Sequence, residues 1–346
     1  MTVMGNRVLV TGAGGFVGVH LVAALRRVGY EVVEHTLGAH ADSGACFSAN
    51  AAESADAAAG TQAIAPGLSP LRVACDLRDD TAVLDMMRDV LPDAVIHLAA
   101  QSSVAESWNR PGETMAANVA GTANLLGAVR SVAPRCRVLT IGSAEEYASP
   151  PSGPEFDSAV EALDEDSWCM PANPYALSKY AVWLLTRQFH EAYALSVIHA
   201  RPFNHIGPGQ RVGFVVTDFA EQLAAISRGE REPVLSVGNL EAVRDFTDVR
   251  DIVRAYVALL QGGRAGEVYN VCSGRGGSVR SLLDMMIAVS GLRVDVRVDD
   301  AKFRPVEVPT LVGNAAKIRR ELGWRPELSL RETLADVLRG FGCRGV

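Results

Sequence analysis

The stretch at residues 8–18, VLVTGAGGFVG, constrains what this chain can fold into more than any other. Three apolar residues, Val8, Leu9 and Val10, run into Thr11 and then into glycines at positions 12, 15 and 18. An amphipathic segment, residues 16–28, follows directly. An apolar run, a glycine turn and a helix start in succession read as strand, turn and helix. Gly12 lets the backbone turn sharply, Gly15 lets it approach a pyrophosphate without a Cβ, and Gly18 lets the helix pack close to the strand. The helix start then offers N–H groups and partial positive charge to phosphates. A glycine-rich turn with no ligand has the same spacing, but placement between strand and helix favours dinucleotide binding.

The same rhythm continues. Glu31–Thr36 and residues 71–75, 94–98 and 136–141 read as strands, and residues 81–90 and 113–132 as amphipathic helices. Pro111 separates a short turn from the second of these helices. Residues 38–70, rich in Ala, Ser and Gly, read as a flexible surface insertion. Strand–helix alternation predicts an α/β fold: a Rossmann-type doubly wound parallel sheet with right-handed crossovers and ligands at the carboxyl ends of the strands. Helical patterns over 214–228, 278–289, 315–322 and 330–338, with a short strand at 294–298, predict a smaller C-terminal α/β substrate-binding lobe. Residues 1–200 are thus expected to form the dinucleotide-binding domain and residues 201–346 mostly the lobe, with 240–272 returning to the sheet.

The cofactor contacts expected from this frame are Gly12, Gly15, Phe16, Val17 and Gly18 at the turn and Thr36 at the end of the second strand. An acid at 35 or 36 would select NAD, but His35 and Thr36 stand there and Glu34 comes one or two positions early. This leans towards NADPH, with NAD as the alternative, since no arginine follows immediately. Asp76, with Leu77, meets the adenine or caps the next helix. Leu98, Ala99 and Ala100 let a cofactor lie against the strand end, or serve helix packing.

A net charge of −7 argues against nucleic acid or an anionic membrane as partner. An anionic ligand therefore needs a local arginine cluster, for which Arg201, Arg211, Arg244 and Arg304 are the candidates. No apolar run is long enough to span a bilayer and no leader peptide is apparent, so a cytoplasmic protein is expected. The six cysteines are scattered with no CxxC, which predicts reduced thiols and no metal site.

Ser143 sits just beyond a buried strand. Tyr175 and Lys179 are four apart and share one helix face. A cation near a phenol favours the phenolate and brings a group with an ordinary pKa of about 10 into range for proton transfer. Ser143 is placed to hydrogen-bond the same substrate oxygen. A Tyr and a Lys at this spacing are common on helices; the nucleotide frame and the strand-end serine favour the catalytic reading.

With TGAGGFVG at 11–18, HLAAQ at 97–101, GSAEEY at 142–147 and YALSK at 175–179, the chain resembles the extended short-chain dehydrogenases/reductases. The resemblance covers nearly everything outside 38–70. It implies a Ser143/Tyr175/Lys179 triad with a nicotinamide cofactor, Lys179 also holding the nicotinamide ribose and Arg201 lying near the cofactor. The motifs ARPFNHIGPGQ at 200–210, VRDFTDVR at 243–250 and FRPVEVP at 303–309 resemble the nucleotide-sugar branch, and the set resembles GDP-4-keto-6-deoxymannose reductases and GDP-mannose 4,6-dehydratases. That implies a GDP-sugar substrate touched by Gln101, Ser102, Ser143, Asn204, Arg211, Arg244, Arg304 and Glu307. It also implies a homodimer paired through residues 113–132 and 175–193. Residues 150–168, rich in Pro, Asp and Glu, read as a loop over the site or as a solvated acidic loop. Dehydratases of this kind carry Thr, then Asp or Ser, then Glu, where this chain has Ser143, Ala144 and Glu145. Ala144 has no proton to give, so Glu145 alone keeps half of an elimination apparatus. The reading is a reductase forming a GDP-6-deoxyhexose such as GDP-rhamnose, with a dehydratase, an epimerase or a non-catalytic dinucleotide sensor as alternatives.

Overall fold

The computed structural model describes residues 6–37, 71–147, 162–303 and 308–346. Strand β1 (Arg7–Thr11) leads through the glycine turn into α1 (Phe16–Arg27), then β2 (Glu31–Thr36) and β3 (Arg72–Ala74). Helix α2 (Asp80–Val90) returns the chain to β4 (Ala94–His97), and β5 (Arg137–Ile141), β6 (Val197–Pro202) and β10 (Val268–Val271) complete one sheet. Its order is β10-β6-β5-β4-β1-β2-β3, and every pairing is parallel. The chain builds outward from β1 through β2 and β3, then crosses back to β4 and builds the other way. Ligands of such sheets bind at the carboxyl ends where the order reverses, which here means between β1 and β4.

The central strands are short apolar runs because both sheet faces are covered. Alternate residues of a strand point to opposite faces. Val8 and Val10 therefore join Leu21 and Leu25 of α1 and Ile252, Tyr256 and Leu259 of a helix at Val249–Gly262. Leu9, Val95 and Val138 face the other way, onto Met87, Leu125, Leu126 and Val129. A further core gathers helices Val215–Ser227, Val279–Ser290 and Leu330–Gly340 around Phe219, Leu223, Leu235, Leu283, Leu334 and Val337. The strands Val234–Val237 and Asp295–Val298 pair in parallel beside it. A second small sheet is centred on β9 (Val243–Asp248), flanked by Gly276–Ser278 and Thr310–Leu311, with Asn204–Ile206 pairing alongside.

Several boundaries differ from expectation. Pro111 does not stand outside the helix but is its first residue, where its missing N–H costs nothing. A short helix, Val104–Asn109, precedes it where a turn is expected. The helix then passes through a π-turn at Ala116–Ala120 before continuing as Gly121–Val132. The strands at 204–206, 234–237, 276–278 and 310–311 and the helix at 249–262 were not expected. The strands are two to four residues long, too short for periodicity to register. The expected insertion at 38–70 and residues 150–161 of the expected loop at 150–168 lie outside the described residues.

Gly18 shows how little room the strand–helix junction has. A Cβ there would stand 2.5 Å from the Ala13 carbonyl oxygen and 2.7 Å from its carbon. Both atoms are backbone and cannot move aside. We therefore expect Gly18→Ala to destabilise the protein by about 2–4 kcal/mol, measured as a lowered midpoint in denaturant unfolding.

Candidate active site

Gly12 adopts φ +73°, a left-handed conformation that lets the chain leave β1 and fold over the strand ends. A Cβ at this position would lie 2.8 Å from the Ala99 nitrogen, so β1 and β4 approach as closely here as backbone allows. The amides of Gly12 and Ala13 both donate to the His35 carbonyl, at 3.1 Å each, tying the loop to β2. Gly15 caps α1 with no side-chain hydrogen bond, and no acid stands in the first turn. Gly14 and Gly15 are exposed. The N–H groups of Phe16, Val17 and Gly18 thus open the helix with no side chain before them, a cradle that suits a dinucleotide pyrophosphate.

The neighbouring strand ends carry the remaining expected cofactor contacts. At the end of β2, Glu34 is committed to Arg26 at 2.6 Å and Arg72 at 3.5 Å. The residues that follow, His35 and Thr36, carry no acid, and the His35 ring turns to the Cys75 carbonyl at 3.0 Å. Asp76 is gripped by Arg78, which holds its carboxyl below the usual range. Leu77 is buried, with Gly121 against it. Leu98, Ala99 and Ala100 are half-buried at the end of β4.

His97, at that same end, is bracketed by Thr11 Oγ1 at 2.7 Å and Thr122 Oγ1 at 2.9 Å. Burial pushes its pKa down to about 3, so the ring is neutral. Asn118, brought inward by the π-turn, accepts from the Gln101 amide at 2.7 Å and donates to the Gln101 carbonyl at 3.0 Å and to Ser178 Oγ at 2.8 Å. One amide therefore joins the end of β4 to the helix that carries Tyr175.

That helix, Pro174–Tyr193, starts at an Asn173 cap and a proline. Ser143 follows β5, and its side chain hydrogen-bonds Tyr175. Lys179 is buried and donates from Nζ to the Ile141 carbonyl at 2.9 Å, with Nζ 5.9 Å from the centre of the Tyr175 ring. Ser143, Tyr175 and Lys179 thus come together. The electrostatics differ from the expectation that Lys179 lowers the phenol. Burial pushes Tyr175 above its ordinary value, with the Ser143 hydrogen bond opposing. Lys179 itself is lowered to about 8 by burial. The phenol is therefore protonated at neutral pH, and the ammonium titrates just above it.

The substrate-side candidates divide. Ser102 and Asn204 are exposed at the strand ends, and Arg211 is exposed beyond them. The amide of Gln101 is used internally, by Ser103 and Thr114, rather than offered to substrate. Arg201 is 1% exposed and spends its guanidinium on Glu146 at 2.7 Å and Tyr147 at 3.2 Å. That internal role replaces the expected cofactor contact. Arg244 is buried and donates to the carbonyls of Val243 at 2.9 Å and Pro309 at 3.3 Å. Arg304 and Glu307 lie outside the described residues. Glu145 is half-buried, and its carboxylate accepts from Asn173 at 3.1 Å.

Residues 9–337 match the GDP-mannose 4,6 dehydratase family. The chain belongs to that family. Within it, the GDP-6-deoxy-D-mannose reductase of Pseudomonas aeruginosa is 33% identical over 341 residues, covering 99% of both chains. The GDP-mannose 4,6-dehydratase of Sinorhizobium fredii is 32% identical over 76% of this chain and 78% of its own. The structure of RMD from Pseudomonas aeruginosa complexed with NADPH superposes with a TM-score of 0.79 at 32% identity, covering 98% of this chain and 100% of that one.

Against this family background Asn118, Glu146 and His97 are the site residues that sequence reasoning missed. Asn118 carried a signal, a polar residue inside the apolar stretch AANVAGTANLL. Glu146 and His97 did not, since only the fold shows them to be buried. Asn118→Ala removes three hydrogen bonds from a buried site. We expect a loss of about 2–4 kcal/mol in chemical unfolding, together with a lower kcat.

Proposed function

We propose that the protein is an NADPH-dependent reductase of the C4 ketone of a GDP-4-keto-6-deoxyhexose, yielding a GDP-6-deoxyhexose such as GDP-rhamnose. The observation that carries this reading is a buried, protonated Tyr175 joined to Ser143, with Ala144 next in the chain. A phenol that keeps its proton suits a step that consumes one. Ala144 supplies no second acid for expelling a hydroxyl, as elimination would need. The reductase relative that matches the chain end to end, and a neighbour that binds NADPH, support the same choice. The absence of an acid at His35 and Thr36 fits a phosphorylated ribose.

A dinucleotide held by its pyrophosphate at the glycine loop would supply the hydride to sugar C4 from its dihydronicotinamide. Ser143 donates a hydrogen bond to the ketone oxygen, which draws charge onto that oxygen as the alkoxide forms. Tyr175 donates its proton to that oxygen, completing the alcohol. Lys179, charged below its pKa of about 8, stabilises the tyrosinate left behind. Asn204 and the arginines Arg211, Arg244 and Arg304, with Glu307, would bind the nucleotide diphosphate and ribose.

The reading includes a cytoplasmic homodimer with the core around Phe219 and Leu283 forming the substrate lobe. The exposed Leu177 and Leu184 on the Tyr175 helix suit pairing with a second copy beside residues 111–132. Cys75, Cys136, Cys169, Cys272 and Cys343 are free thiols, which fits a reducing compartment.

The direct test mixes protein, NADPH and GDP-4-keto-6-deoxymannose and follows cofactor absorbance. Oxidation is expected, whereas GDP-mannose with NADP+ should yield no keto product; the reverse pattern means a dehydratase. Tyr175→Phe should lower kcat by roughly 100- to 10,000-fold while NADPH still binds. The pH profile follows from the same groups. Because Lys179 acts in its charged form, kcat should be level below neutrality and fall as pH rises through about 8.

A further inference from the structure

Beneath the catalytic serine lies a cluster of charge that the reaction scheme above does not use. Glu146 is 0% exposed. Its Oε1 accepts from the Ser143 amide at 2.8 Å and from His199 Nε2 at 3.2 Å, and its Oε2 accepts from Arg201 Nε at 2.7 Å. A carboxylate oxygen only accepts, so His199 carries its proton on Nε2. Its Nδ1 then accepts from Thr140 Oγ1, 2.9 Å away. Thr140 in turn lies 3.0 Å from Thr186 Oγ1 on the Tyr175 helix. Arg201 continues to the Tyr147 hydroxyl, which donates to Asn270 at 2.6 Å. Gly142 leaves room for the arrangement, because any side chain there would collide with Glu146 Oε1 and His199 Nε2.

We infer that Glu146, clamped by Arg201 and His199, is a positioning residue for proton transfer: it fixes Ser143 through its amide and supplies a buried negative charge to Lys179, whose Nζ holds the Ile141 carbonyl two residues before that amide. The groups around Lys179 make the second part specific. The ammonium donates to the Ile141 carbonyl at 2.9 Å and lies 5.9 Å from the centre of the Tyr175 ring. Burial lowers the pKa of both His97 and His199, so neither ring brings a charge, and the carboxylate acting on the ammonium is Glu146. Burial lowers Lys179 and Glu146 raises it. Removing the Glu146 charge therefore moves Lys179 further down. The same charge raises Tyr175. Both effects of its loss reduce the working form, charged lysine and protonated tyrosine, at lower pH than in the intact protein.

The inference rests on the reductase reading for its consequence in turnover, but its first test needs no substrate. The chain contains three lysines, Lys179, Lys302 and Lys317. In protein labelled with 13C-lysine, the side-chain resonances are few enough to titrate individually by NMR, with Lys179→Met giving the assignment. The intact protein should show Lys179 titrating near 8. In Glu146→Gln the midpoint should fall by about one pH unit, and in Glu146→Asp, which keeps the charge, it should stay near the wild-type value. An unchanged midpoint in folded Glu146→Gln, or an equal shift in Glu146→Asp, overturns the counter-charge role. A purely structural Glu146 would lower the melting temperature and leave the midpoint alone. Should Glu146→Gln not fold, Glu146→Asp decides the other half by hydrogen exchange: its shorter reach should release the Ser143 amide and speed exchange of that amide about tenfold. Exchange as slow as wild type overturns the positioning role. With the keto sugar and NADPH, Glu146→Gln should also move the basic limb of kcat to lower pH. Absence of any turnover in the wild type would instead count against the substrate assignment alone.

Discussion

The approach of two strand ends governs this structure. Gly12 turns the chain at the end of β1 so that its backbone lies against Ala99 at the end of β4. No L side chain adopts that turn comfortably, and none would fit between the strands. Because β1 and β4 are the pair at which the sheet reverses direction, this contact gathers the ends of β2, β3, β4 and β5 around one edge. Thr11 and His97 fasten the same junction from within, and the His97 ring reaches on to Thr122 in the long helix. The N-terminus of α1 and the serine that follows β5 are thus fixed by one set of contacts.

Desolvation sets the chemistry at this edge. It raises Tyr175, lowers Lys179 and keeps His97 and His199 neutral, so a single physical cause assigns four protonation states. The result is a phenol that keeps its proton near an ammonium whose pKa lies at about 8. This differs from a simple lysine-activated phenol. Hydrogen bonds oppose the burial at chosen points, from Ser143 onto Tyr175 and from Arg201 and His199 onto Glu146.

Much of this was legible in the sequence because it depends on local pattern. The buried strands, the glycine turn and the i, i+4 pairing of Tyr175 with Lys179 are written in periods of two and three to four residues. Contacts between distant segments were not legible. Arg201 reads as a cationic ligand contact until the fold places Glu146 against it, 55 residues away in the chain. Gln101 reads as a substrate contact until Thr114 and Ser103 take its amide. The small strands around β9 are two to four residues long and are held by partners far away in sequence, so no local signal marks them.

The π-turn at Ala116–Ala120 has a consequence for how this chain can vary in length. It carries an extra residue within the helix, which both aims Asn118 inward and resets the angular phase of all that follows. Each helical residue advances the face by about 100°. Deleting one residue here would restore ordinary helical bonding, yet it would swing Leu125, Leu126 and Val129 off the sheet and carry Thr122 away from His97. Many substitutions on the outer face of this helix are compatible with the fold, whereas a change of one residue in its length is not.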